Sequence, residues 1–362
     1  MLRLQDICRK GASTIAQKDL EGREGCYPIY GASGFIKNVD FYQQESSYVA
    51  VVKDGAGVGR VMKLPAKSSV IGTMQYIIPN EGVDVDYLAY VLEHMDLAKY
   101  HTGATIPHIY FKDYCNEELP NHTADEQRRI AEILLNVDNL ISLHQQQLVK
   151  LDALVKSRFI ELFGDPVVNT MGWNTDTVNN ICRDIYGGGT PSKAHPEYYE
   201  NGDIPWVSSK DMKTDILYDS QIKINQLGVD NSTAKMVPVN SVIMVIRSGI
   251  LKHTLPVAIN AVPITVNQDL KVFIPSNRIL PVFLLFLFKM LEKDILTGVR
   301  AVTADNIEFN TLKERLVIVP PIELQAQFAA FVEQTDKSKL AIQESLAKLE
   351  TLKKSLMQQY FG

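Results

Sequence analysis

The chain has 362 residues, enough for two or three domains of ordinary size. Apolar residues make up 46% and charged residues 22%, which excludes a disordered, collagenous or low-complexity protein. The net charge of −5 argues against a protein that binds nucleic acid through bulk positive charge alone.

The sequence carries neither a membrane-spanning segment nor a disulfide framework. Its longest apolar run lies within residues 279–291 and is too short to cross a bilayer. The N-terminus lacks the apolar core of a signal peptide. Cys8, Cys26, Cys115 and Cys182 lie far apart without a C-x-x-C pair, which disfavours zinc sites and suits a reducing compartment. We therefore expect a cytoplasmic protein with no metal site and no membrane contact.

One segment of the chain occurs twice. Residues 127–164 align without a gap to residues 325–362, an offset of 198, and 12 of the 38 positions are identical. Both copies start with glutamine, Gln127 and Gln325, and both end in Phe-Gly. The shared start, end and spacing indicate an internal duplication rather than two unrelated helices of similar composition.

Both copies are predicted to be long helices. Neither contains an internal Gly or Pro, and Thr123 and Glu126 have the spacing of a capping box before the first copy. Apolar residues recur with the alternating spacing of four and three residues that is typical of a coiled-coil seam. His144 also falls on this seam, where we expect a tolerated polar residue or a register residue rather than a ligand. The predicted seam residues are Leu134, Val137, Ile141, Leu148, Leu151 and Val155 in the first copy, and Val332, Ile342, Leu346, Leu349 and Leu356 in the second.

The segments before the two helices correspond more loosely. Residues 48–55 and 242–249 both read as an apolar strand that ends in a basic residue, a polar residue and Gly. This pattern places Lys53 and Arg247 at equivalent strand ends. The predicted segments are a mixed α/β domain over 1–122, a helix over 123–164, a second domain over 165–319 and a second helix over 320–362.

The predicted fold class is α+β, with two mixed α/β domains that are each followed by a long helix. We expect the helices to pair as an antiparallel coiled coil with pseudo-two-fold symmetry. A helix of 38 residues is about 57 Å long, and a DNA groove repeats about every 34–36 Å. Such a rod suits two domains that read unequal half-sites in inverted orientation. Two helices that pack into separate cores are the alternative.

The sequence resembles the specificity (S) subunit of type I restriction-modification enzymes over essentially its whole length. Gly188-Gly-Thr-Pro-Ser-Lys193, followed by Pro196-Glu-Tyr-Tyr and Gly202-Asp-Ile-Pro-Trp206, looks like the opening of a target-recognition domain of this family. Residues 27–34, Tyr-Pro-Ile-Tyr-Gly-Ala-Ser-Gly, and the pattern from Pro120 to Glu126-Gln-Arg-Arg-Ile-Ala131 support the resemblance. The second helix departs from this pattern with Glu-Leu-Gln-Ala-Gln-Phe, and the first domain lacks the Gly-Gly-Thr-Pro-Ser opening.

The resemblance implies two target-recognition domains, with helices that act as a spacer and as a docking platform for two methyltransferase (M) subunits. Restriction (R) subunits would complete the enzyme. It implies double-stranded DNA as the ligand and a chain that is not itself catalytic. No cofactor is expected on this chain, whereas S-adenosylmethionine, ATP and Mg are expected on the partner subunits. The polar helix faces around residues 128–129, 145–147 and 353–354 are candidate docking surfaces.

A glycine-rich segment in the first domain allows two interpretations. Gly55-Ala-Gly57-Val-Gly59 follows a predicted strand, as the glycine loop of a nucleotide-binding site does. Such a loop should open a helix, but residues 60–64 alternate like another strand. We therefore predict a flexible hairpin whose glycines allow the backbone to approach phosphates, with Lys53 and Arg60 supplying positive charge.

Signals for catalysis are weak. Asp211 with Lys213, and Asp269 with Lys271, match the D-x-K part of a metal nuclease site, but the pattern is short and lacks a recognisable acidic partner. A Walker A loop, an Asn-Pro-Pro-Tyr/Phe tetrapeptide and an H-E-x-x-H motif are absent from the sequence. A chain that is not an enzyme is therefore favoured. The alternatives are a self-contained methyltransferase or nuclease, and a coiled-coil scaffold without a role on DNA.

The candidate base-reading residues lie at predicted strand ends and loops. Arg and Lys suit guanine in the major groove, whereas Asn and Gln suit adenine. Arg247, Lys252 and His253 are the preferred candidates. The full set is Lys53, Arg60, Gln75, Thr105 and His108 in the first domain, and Ser209, Lys210, Arg247, Lys252, His253, Gln268 and Arg300 in the second.

Overall fold

A computed structural model describes residues 2–103, 107–297, 300–301 and 305–362. The chain divides into two compact units. Unit 1 comprises residues 1–147 and 342–362, and unit 2 comprises residues 148–341. Unit 1 is thus discontinuous in sequence, and the whole of unit 2 is inserted into it.

Unit 1 consists of short strands and helices that precede a long helix. The elements in chain order are β1 (Leu2–Arg3), α1 (Leu4–Ile7), β2 (Cys8–Ala12), β3 (Tyr27–Gly31), β4 (Gly34–Val39), β5 (Tyr48–Val52), β6 (Val61–Leu64), β7 (Ser69–Val70), β8 (Met74–Pro79), α2 (Val85–His94), α3 (Phe111–Tyr114), β9 (Glu118–Leu119) and α4 (Ala124–Phe163). The strands form sheets in the orders β2-β8-β5-β6 and β4-β3-β7, and β1 pairs with β9. Residues 124–147 of α4 belong to this unit.

Unit 2 repeats this plan with additional strands. Its elements are β10 (Thr175–Thr177), α5 (Val178–Ile181), β11 (Cys182–Gly187), β12 (Ile204–Val207), β13 (Ile216–Leu217), β14 (Lys223–Ile224), α6 (Gln226–Asp230), β15 (Val242–Val245), β16 (Val257–Asn260), β17 (Thr265–Val266), β18 (Leu270–Pro275), α7 (Pro281–Met290), α8 (Glu292–Thr297), β19 (Arg300–Ala301), β20 (Asp305–Asn306), α9 (Phe309–Glu314), β21 (Leu316–Ile318) and α10 (Ile322–Phe361). The sheet orders are β11-β18-β15-β16-β13 and β14-β12-β17, and β10 pairs with β21 and β19 with β20. Residues 342–361 of α10 belong to unit 1.

The two units share one topology. The order β2-β8-β5-β6 corresponds to β11-β18-β15-β16, and β4-β3-β7 corresponds to β14-β12-β17. Cys8 and Cys182 open equivalent strands, opposite Pro79 and Pro275. Burial raises the pKa of both thiols to about 12, so these cysteines pack as apolar side chains rather than act as nucleophiles. The predicted fold class, two mixed α/β domains that are each followed by a long helix, is confirmed.

The core of each unit lies where its larger sheet meets one apolar helix. In unit 1, Val51 and Ile77 of the sheet share a cluster with Leu88 of α2. In unit 2, Val272 of the sheet shares a cluster with Leu284 of α7. Each such side chain, when fully buried, contributes about 1.5–3 kcal/mol to folding.

The first turn of α4 is capped as the sequence predicts. The Thr123 backbone N–H donates to Glu126 Oε2 (2.7 Å), and the Glu126 backbone N–H donates to Thr123 Oγ1 (3.3 Å). Bonding to Thr123 lowers the pKa of the Glu126 carboxyl. The reciprocal pair satisfies two N–H groups that the start of a helix otherwise leaves without partners.

Within unit 1, the segments of α4 and α10 run antiparallel. Leu134, near the start of α4, shares a core cluster with Met357 and Phe361, near the end of α10. Farther along α4, His144 Nε2 lies 3.0 Å from Ser345 Oγ. Residues farther along α4 thus contact residues closer to the start of α10. His144 is therefore a polar seam residue with a defined partner, as expected.

Within unit 2, the helix segments are also antiparallel. Asp152 Oδ1 lies 2.7 Å from Lys339 Nζ, and Phe163, at the end of α4, contacts Phe328 near the start of α10, with ring centroids 5.7 Å apart. The Phe163 ring also lies 4.9 Å from that of Phe283 in α7. The end of the first helix therefore packs on the second domain.

The seam pattern misses two of the most buried positions on α4. From Val155, the predicted spacing continues to Arg158 and Leu162, but the fully buried side chains are Phe159 and Phe163. These two lie at successive intervals of four residues from Val155. The helix needs a wider apolar stripe here because it enters a globular core instead of pairing with one helix.

The predicted seam residues are buried or half-buried. Leu134, Val137, Val155 and Val332 are buried, and Ile141, Leu148, Leu151, Ile342, Leu346, Leu349 and Leu356 are half-buried. On the outer face of α4, the Leu143 and Val149 side chains remain 52% and 69% exposed. Two helices that cover only one face of each other leave their seam partly accessible.

Lys353 joins α10 to α2 and α4 within unit 1. Its Nζ lies 2.9 Å from carboxylate oxygens of both Glu93 and Asp138, and the Tyr90 hydroxyl donates to Asp138 Oδ2 (2.8 Å). Burial alone lowers the pKa of Lys353, but its bonds to Asp138 and Glu93 outweigh burial and raise it. Lys353 therefore links three helices within unit 1. This placement corrects the prediction that Lys353 lies on an outward docking face.

A duplicated glutamine fixes the start of each long helix. Gln127 Oε1 accepts from the Asp84 backbone N–H (3.2 Å), and Gln325 Oε1 accepts from the Leu280 N–H (2.8 Å). The Nε2 of each glutamine donates to the carbonyl five residues before it, at 3.0 and 2.9 Å. Asp84 and Leu280 are the residues before α2 and α7. Each glutamine therefore ties its helix to the equivalent helix of the preceding domain.

Replacing Gln325 with methionine is expected to destabilise unit 2 by about 1–3 kcal/mol, because the Leu280 N–H loses its partner inside the protein. Chemical denaturation monitored by the fluorescence of Trp173 and Trp206, both in unit 2, measures this loss. Gln334→Met, at an exposed position of the same helix, is the matched control and should change stability by less than about 0.5 kcal/mol. Equal effects of the two substitutions would contradict the assignment.

Candidate nucleic-acid interface

Three strands of unit 2 end at one polar edge. The Asn267 N–H, after β17, donates to the Val207 carbonyl at the end of β12 (2.9 Å). The Ile246 N–H, after β15, donates to the Asp269 carbonyl (2.9 Å). We call the residues that follow these strands the polar edge of unit 2. The predicted residues on it are Ser209, Lys210, Arg247 and Gln268.

Arg247 is bound to Asp269 through both backbone and side chain. Its backbone N–H donates to the Asp269 carbonyl (3.3 Å), and its Nε donates to Asp269 Oδ1 (2.7 Å). Its Nη2 lies 2.6 Å from the same oxygen. Asn267 Nδ2 donates to Asp269 Oδ2 (3.1 Å), which orients the carboxylate. The Arg247 side chain is 48% exposed, and a guanidinium has five N–H donors, more than Asp269 uses.

Three more predicted residues lie close to Arg247 in the fold. The backbone of Arg247 bridges to Asn306 of β20, and β20 pairs with β19, where Asn306 lies opposite Arg300. Lys252 ends a single-turn helix (Gly249–Lys252) that packs against β20, and His253 follows it. Both residues are exposed. The structure thus brings most of the predicted residues of the second domain into one region.

The Gly-Gly-Thr-Pro-Ser motif shapes the polar edge of unit 2. A Cβ on Gly188 would lie 1.9 Å from the Val266 carbonyl oxygen, so only glycine fits this close approach. The carbonyl of the next glycine accepts from Trp206 Nε1 (2.9 Å). The Thr190 hydroxyl donates to Gln268 Oε1. The motif therefore places Thr190 beside a candidate reader.

The two D-x-K patterns have structural explanations. Asp211 accepts from the backbone N–H groups of Ser208 (2.8 Å) and Gln221 (2.9 Å), and Asp269 is bonded to Arg247 as described. Lys271 Nζ lies 4.5 Å above the Phe309 ring centroid. Burial and the nearby Arg247 lower the pKa of Lys271. Lys271 is thus a positive group close to Arg247, although in the sequence it matches only a nuclease pattern.

The polar edge of unit 1, formed by Lys53, Asp54 and His108, has a different arrangement of charge. Asp54 Oδ1 lies 2.7 Å from His108 Nδ1, and Asp54 Oδ2 lies 3.8 Å from Lys53 Nζ. All three side chains are partly exposed. Two of them, Lys53 and His108, are predicted candidates, and the structure brings them together around a carboxylate that the prediction omitted.

Backbone hydrogen bonds show which positions of the two edges are equivalent. The Ile109 N–H donates to the Lys53 carbonyl (2.9 Å), and the Ile307 N–H donates to the Ile246 carbonyl (2.9 Å). Lys53 and Ile246 are both the first residue after equivalent strands, β5 and β15. The backbone therefore makes Lys53 equivalent to Ile246.

The position equivalent to Arg247 in unit 1 is consequently Asp54. The two are linked by matching isolated bridges, Asp54 to His108 and Arg247 to Asn306. The predicted equivalence of Lys53 and Arg247 is wrong by one residue. The sequence pattern aligns Gly55 with Gly249. However, β5 ends three residues before Gly55, whereas β15 ends four residues before Gly249.

The glycine-rich segment forms a turn between β5 and β6, which pair antiparallel. The predicted hairpin is therefore present, and no helix begins there as a nucleotide-binding loop requires. A Cβ on Gly59 would lie 2.5 Å from the Ala98 backbone nitrogen, so the turn packs closely against the domain. Arg60 Nη1 donates to the Ala32 carbonyl (2.8 Å), and the side chain is exposed.

Gln75 does not contribute to the polar edge of unit 1. Gln75 is buried in β8, and its Nε2 donates to the Tyr114 hydroxyl. A side chain that is enclosed and bonded in this way cannot reach DNA, so this prediction is wrong. Thr105 lies outside the described residues.

The shared strand order of the two units indicates two domains of one ancestry. The family described as type I restriction modification DNA specificity domain matches residues 1–153 and 171–354. The chain belongs to this family, as the sequence resemblance predicts. Among the described residues, no helix is long and apolar enough to cross a membrane.

Two curated relatives are specificity subunits. The chain is 34% identical over 177 residues to the Escherichia coli type I restriction enzyme EcoR124I/EcoR124II specificity subunit. The matched region covers 48% of this chain and 44% of that protein. It is 23% identical over 303 residues to the Methanocaldococcus jannaschii type I restriction enzyme MjaIX specificity subunit. This matched region covers 78% of this chain and 69% of that protein. The match to the E. coli protein thus spans less than half of its length.

Two solved structures share the fold. The first is the S subunit of a type I restriction-modification system from M. genitalium, with a TM-score of 0.66 and 16% identity over 100% of this chain and 95% of that chain. The second is from a study of complex assembly and conformational transition of the type I R-M system, with a TM-score of 0.60 and 15% identity over 99% and 96%. At these identities the likeness concerns the fold alone.

Proposed function

We propose that this chain is the DNA sequence-recognition subunit of a type I restriction-modification complex and binds a bipartite, asymmetric site. Membership of the specificity-domain family supports the proposal. The structural observation that carries it is the presence of two equivalent strand-end edges with different side chains. Edges that differ in this way suit two different half-sites.

The residues on the edges have the chemistry that base recognition needs. In unit 2, Arg247 and Lys210 can donate to guanine, and Gln268 can bond adenine. In unit 1, Lys53 and His108 stand beside Asp54, and a carboxylate accepts from the cytosine amino group. Contacts with phosphates position the protein, and contacts with base edges specify the sequence.

Catalysis is assigned to partner subunits. Asp211 and Asp269, the acidic residues of the D-x-K patterns, are held in internal bonds. In the proposed complex, two M subunits methylate with S-adenosylmethionine, R subunits use ATP and Mg, and this chain binds no cofactor. Such a complex acts on DNA in the cytoplasm.

The M subunits are proposed to dock on the outer faces of α4 and α10. Residues 145–147 are exposed there, next to apolar side chains that the helix pair leaves uncovered, such as Leu143 and Val149. Exposed apolar patches that are rimmed by polar residues mark surfaces that a partner covers. On α10, Leu340 and Leu352 are 58% and 45% exposed.

The isolated chain is expected to bind DNA weakly, because its net charge is −5. With M subunits, affinity for the target should rise by at least about 10²-fold. The target is first identified by methylome sequencing with and without this gene, and binding is then measured by fluorescence anisotropy at fixed salt.

Footprinting of the complex with M subunits should show two protected patches and an unread gap. Tight, specific binding by the isolated chain would contradict the proposed sharing of contacts. Methyl transfer or cleavage by the purified chain alone would support the self-contained enzyme. A complex that protects no DNA would support the scaffold.

A further inference from the structure

We propose that Arg247, oriented by Asp269, reads a guanine in the half-site that the second domain recognises. The inference rests on the proposed function. It adds Asp269 as the positioning residue and assigns Arg247 to a guanine base rather than to a phosphate.

The first step is the placement of the Arg247 backbone. Its N–H donates to the Asp269 carbonyl (3.3 Å), and the preceding residue, Ile246, donates to the same carbonyl (2.9 Å). The Ile246 carbonyl in turn accepts from the Ile307 N–H (2.9 Å). Backbone hydrogen bonds from two neighbouring segments therefore fix the position of Arg247 just after β15. A residue that recognises a single base needs such a fixed position.

The second step is the orientation of the side chain. Nε and Nη2 of Arg247 both lie within 2.7 Å of Asp269 Oδ1, and Asn267 holds the other carboxylate oxygen at 3.1 Å. A guanidinium fixed at one edge has already lost most of its rotamer freedom. The entropic cost of bringing its remaining donors to a ligand is correspondingly lower.

The third step concerns the ligand. Guanine offers two neighbouring acceptors, O6 and N7, that match the planar fork of an arginine. A phosphate would carry its full negative charge close to the Asp269 carboxylate, and like charges repel. The pair Arg247–Asp269 therefore favours a base edge over the DNA backbone.

Unit 1 provides an internal comparison. The position equivalent to Arg247 is Asp54, which is bonded to His108 (2.7 Å). An aspartate cannot donate to guanine O6 and N7 when it is ionised. Changes at Arg247 should therefore alter one half-site and leave the other as it was.

The test uses the full complex with M subunits, wild type or with a variant of this chain. Arg247→Lys keeps the charge but loses the fork, and Asp269→Asn keeps the size of the positioning residue but removes its charge. Arg278→Gln is the matched control, because Arg278 and Asp176 form an ion pair of similar length, 2.7 Å against 2.6 Å for Arg247 and Asp269. The side chains are 50% and 22% exposed in the control pair, and 48% and 25% exposed in the Arg247–Asp269 pair. Methylome sequencing and competition binding with each base at each half-site position give the readout.

Arg247→Lys is expected to lower the preference for guanine at one position by about 5- to 150-fold, with nonspecific binding unchanged. Asp269→Asn should relax the same position by a smaller factor, and Arg278→Gln should change no position. A base preference that Arg247→Lys leaves intact, or a loss of affinity that is equal for all sequences, would overturn the inference. So would a base other than guanine at the affected position. If the wild-type complex recognises no bipartite sequence, the proposed function itself fails.

Discussion

Phe163→Ala is expected to destabilise unit 2 by about 3–5 kcal/mol. The Phe163 side chain is completely buried, and its ring lies 4.9 Å from both Phe159 and Phe283 and 5.7 Å from Phe328. Alanine would leave a cavity at the junction of α4, α7 and α10. Hydrogen exchange resolved along the chain should show the loss of protection within residues 148–341.

Leu154→Ala is the matched control for this prediction. Leu154 lies on the same helix in the same unit, but 48% of its surface is exposed. Its replacement in the isolated chain should change stability by less than about 0.5 kcal/mol. Equal losses for the two variants would mean that the aromatic cluster does not stabilise unit 2.

Removing residues 141–147 from α4 together with residues 343–349 from α10 is expected to shorten the gap between the half-sites by about three base pairs. Seven residues correspond to about 10 Å of helix, and base pairs are stacked about 3.4 Å apart. A deletion of seven residues preserves the four-and-three seam spacing, and the paired deletion removes His144 and Ser345 together. Methylome sequencing of the complex reads the new gap.

The control for the deletion keeps the length of both helices. Replacing the exposed Ser142, which lies in the deleted segment but outside the seam and the named docking residues, with alanine should leave the gap as it is in the wild type. Both half-sites should stay unchanged in both variants. A new half-site preference after the deletion would mean that the helices read DNA, in conflict with their proposed role as a spacer.

The features that the sequence predicts well are local or repeated. The absence of Gly and Pro, together with the Thr123–Glu126 capping box, places the start and extent of α4 because both act through neighbouring residues. The duplication predicts two domains of one topology, since two copies of a sequence pattern fold by the same rules. The Gly-Gly-Thr-Pro-Ser motif marks the polar edge of unit 2 because Gly188 leaves no room for a Cβ there.

The features that the sequence misses depend on contacts between distant segments. Gln75 reads as a polar strand residue, but Tyr114, far along the chain, encloses it and satisfies its amide. Lys353 reads as a solvated helix residue, but Glu93 and Asp138 bind it. Asp269 matches half of a nuclease pattern in the sequence, but in the fold it binds Arg247.

The discontinuity of unit 1 has a consequence for biosynthesis. Its first part, residues 1–147, leaves the ribosome before residues 148–341, and its last part, residues 342–362, follows them. At a synthesis rate of about 5–20 residues per second, residues 148–341 take about 10–40 s to be made. During that time Tyr87 lacks Phe361, whose ring lies 5.5 Å away in the finished protein. The nascent chain therefore exposes an apolar surface that chaperones can recognise, and the unit made first is the last to close.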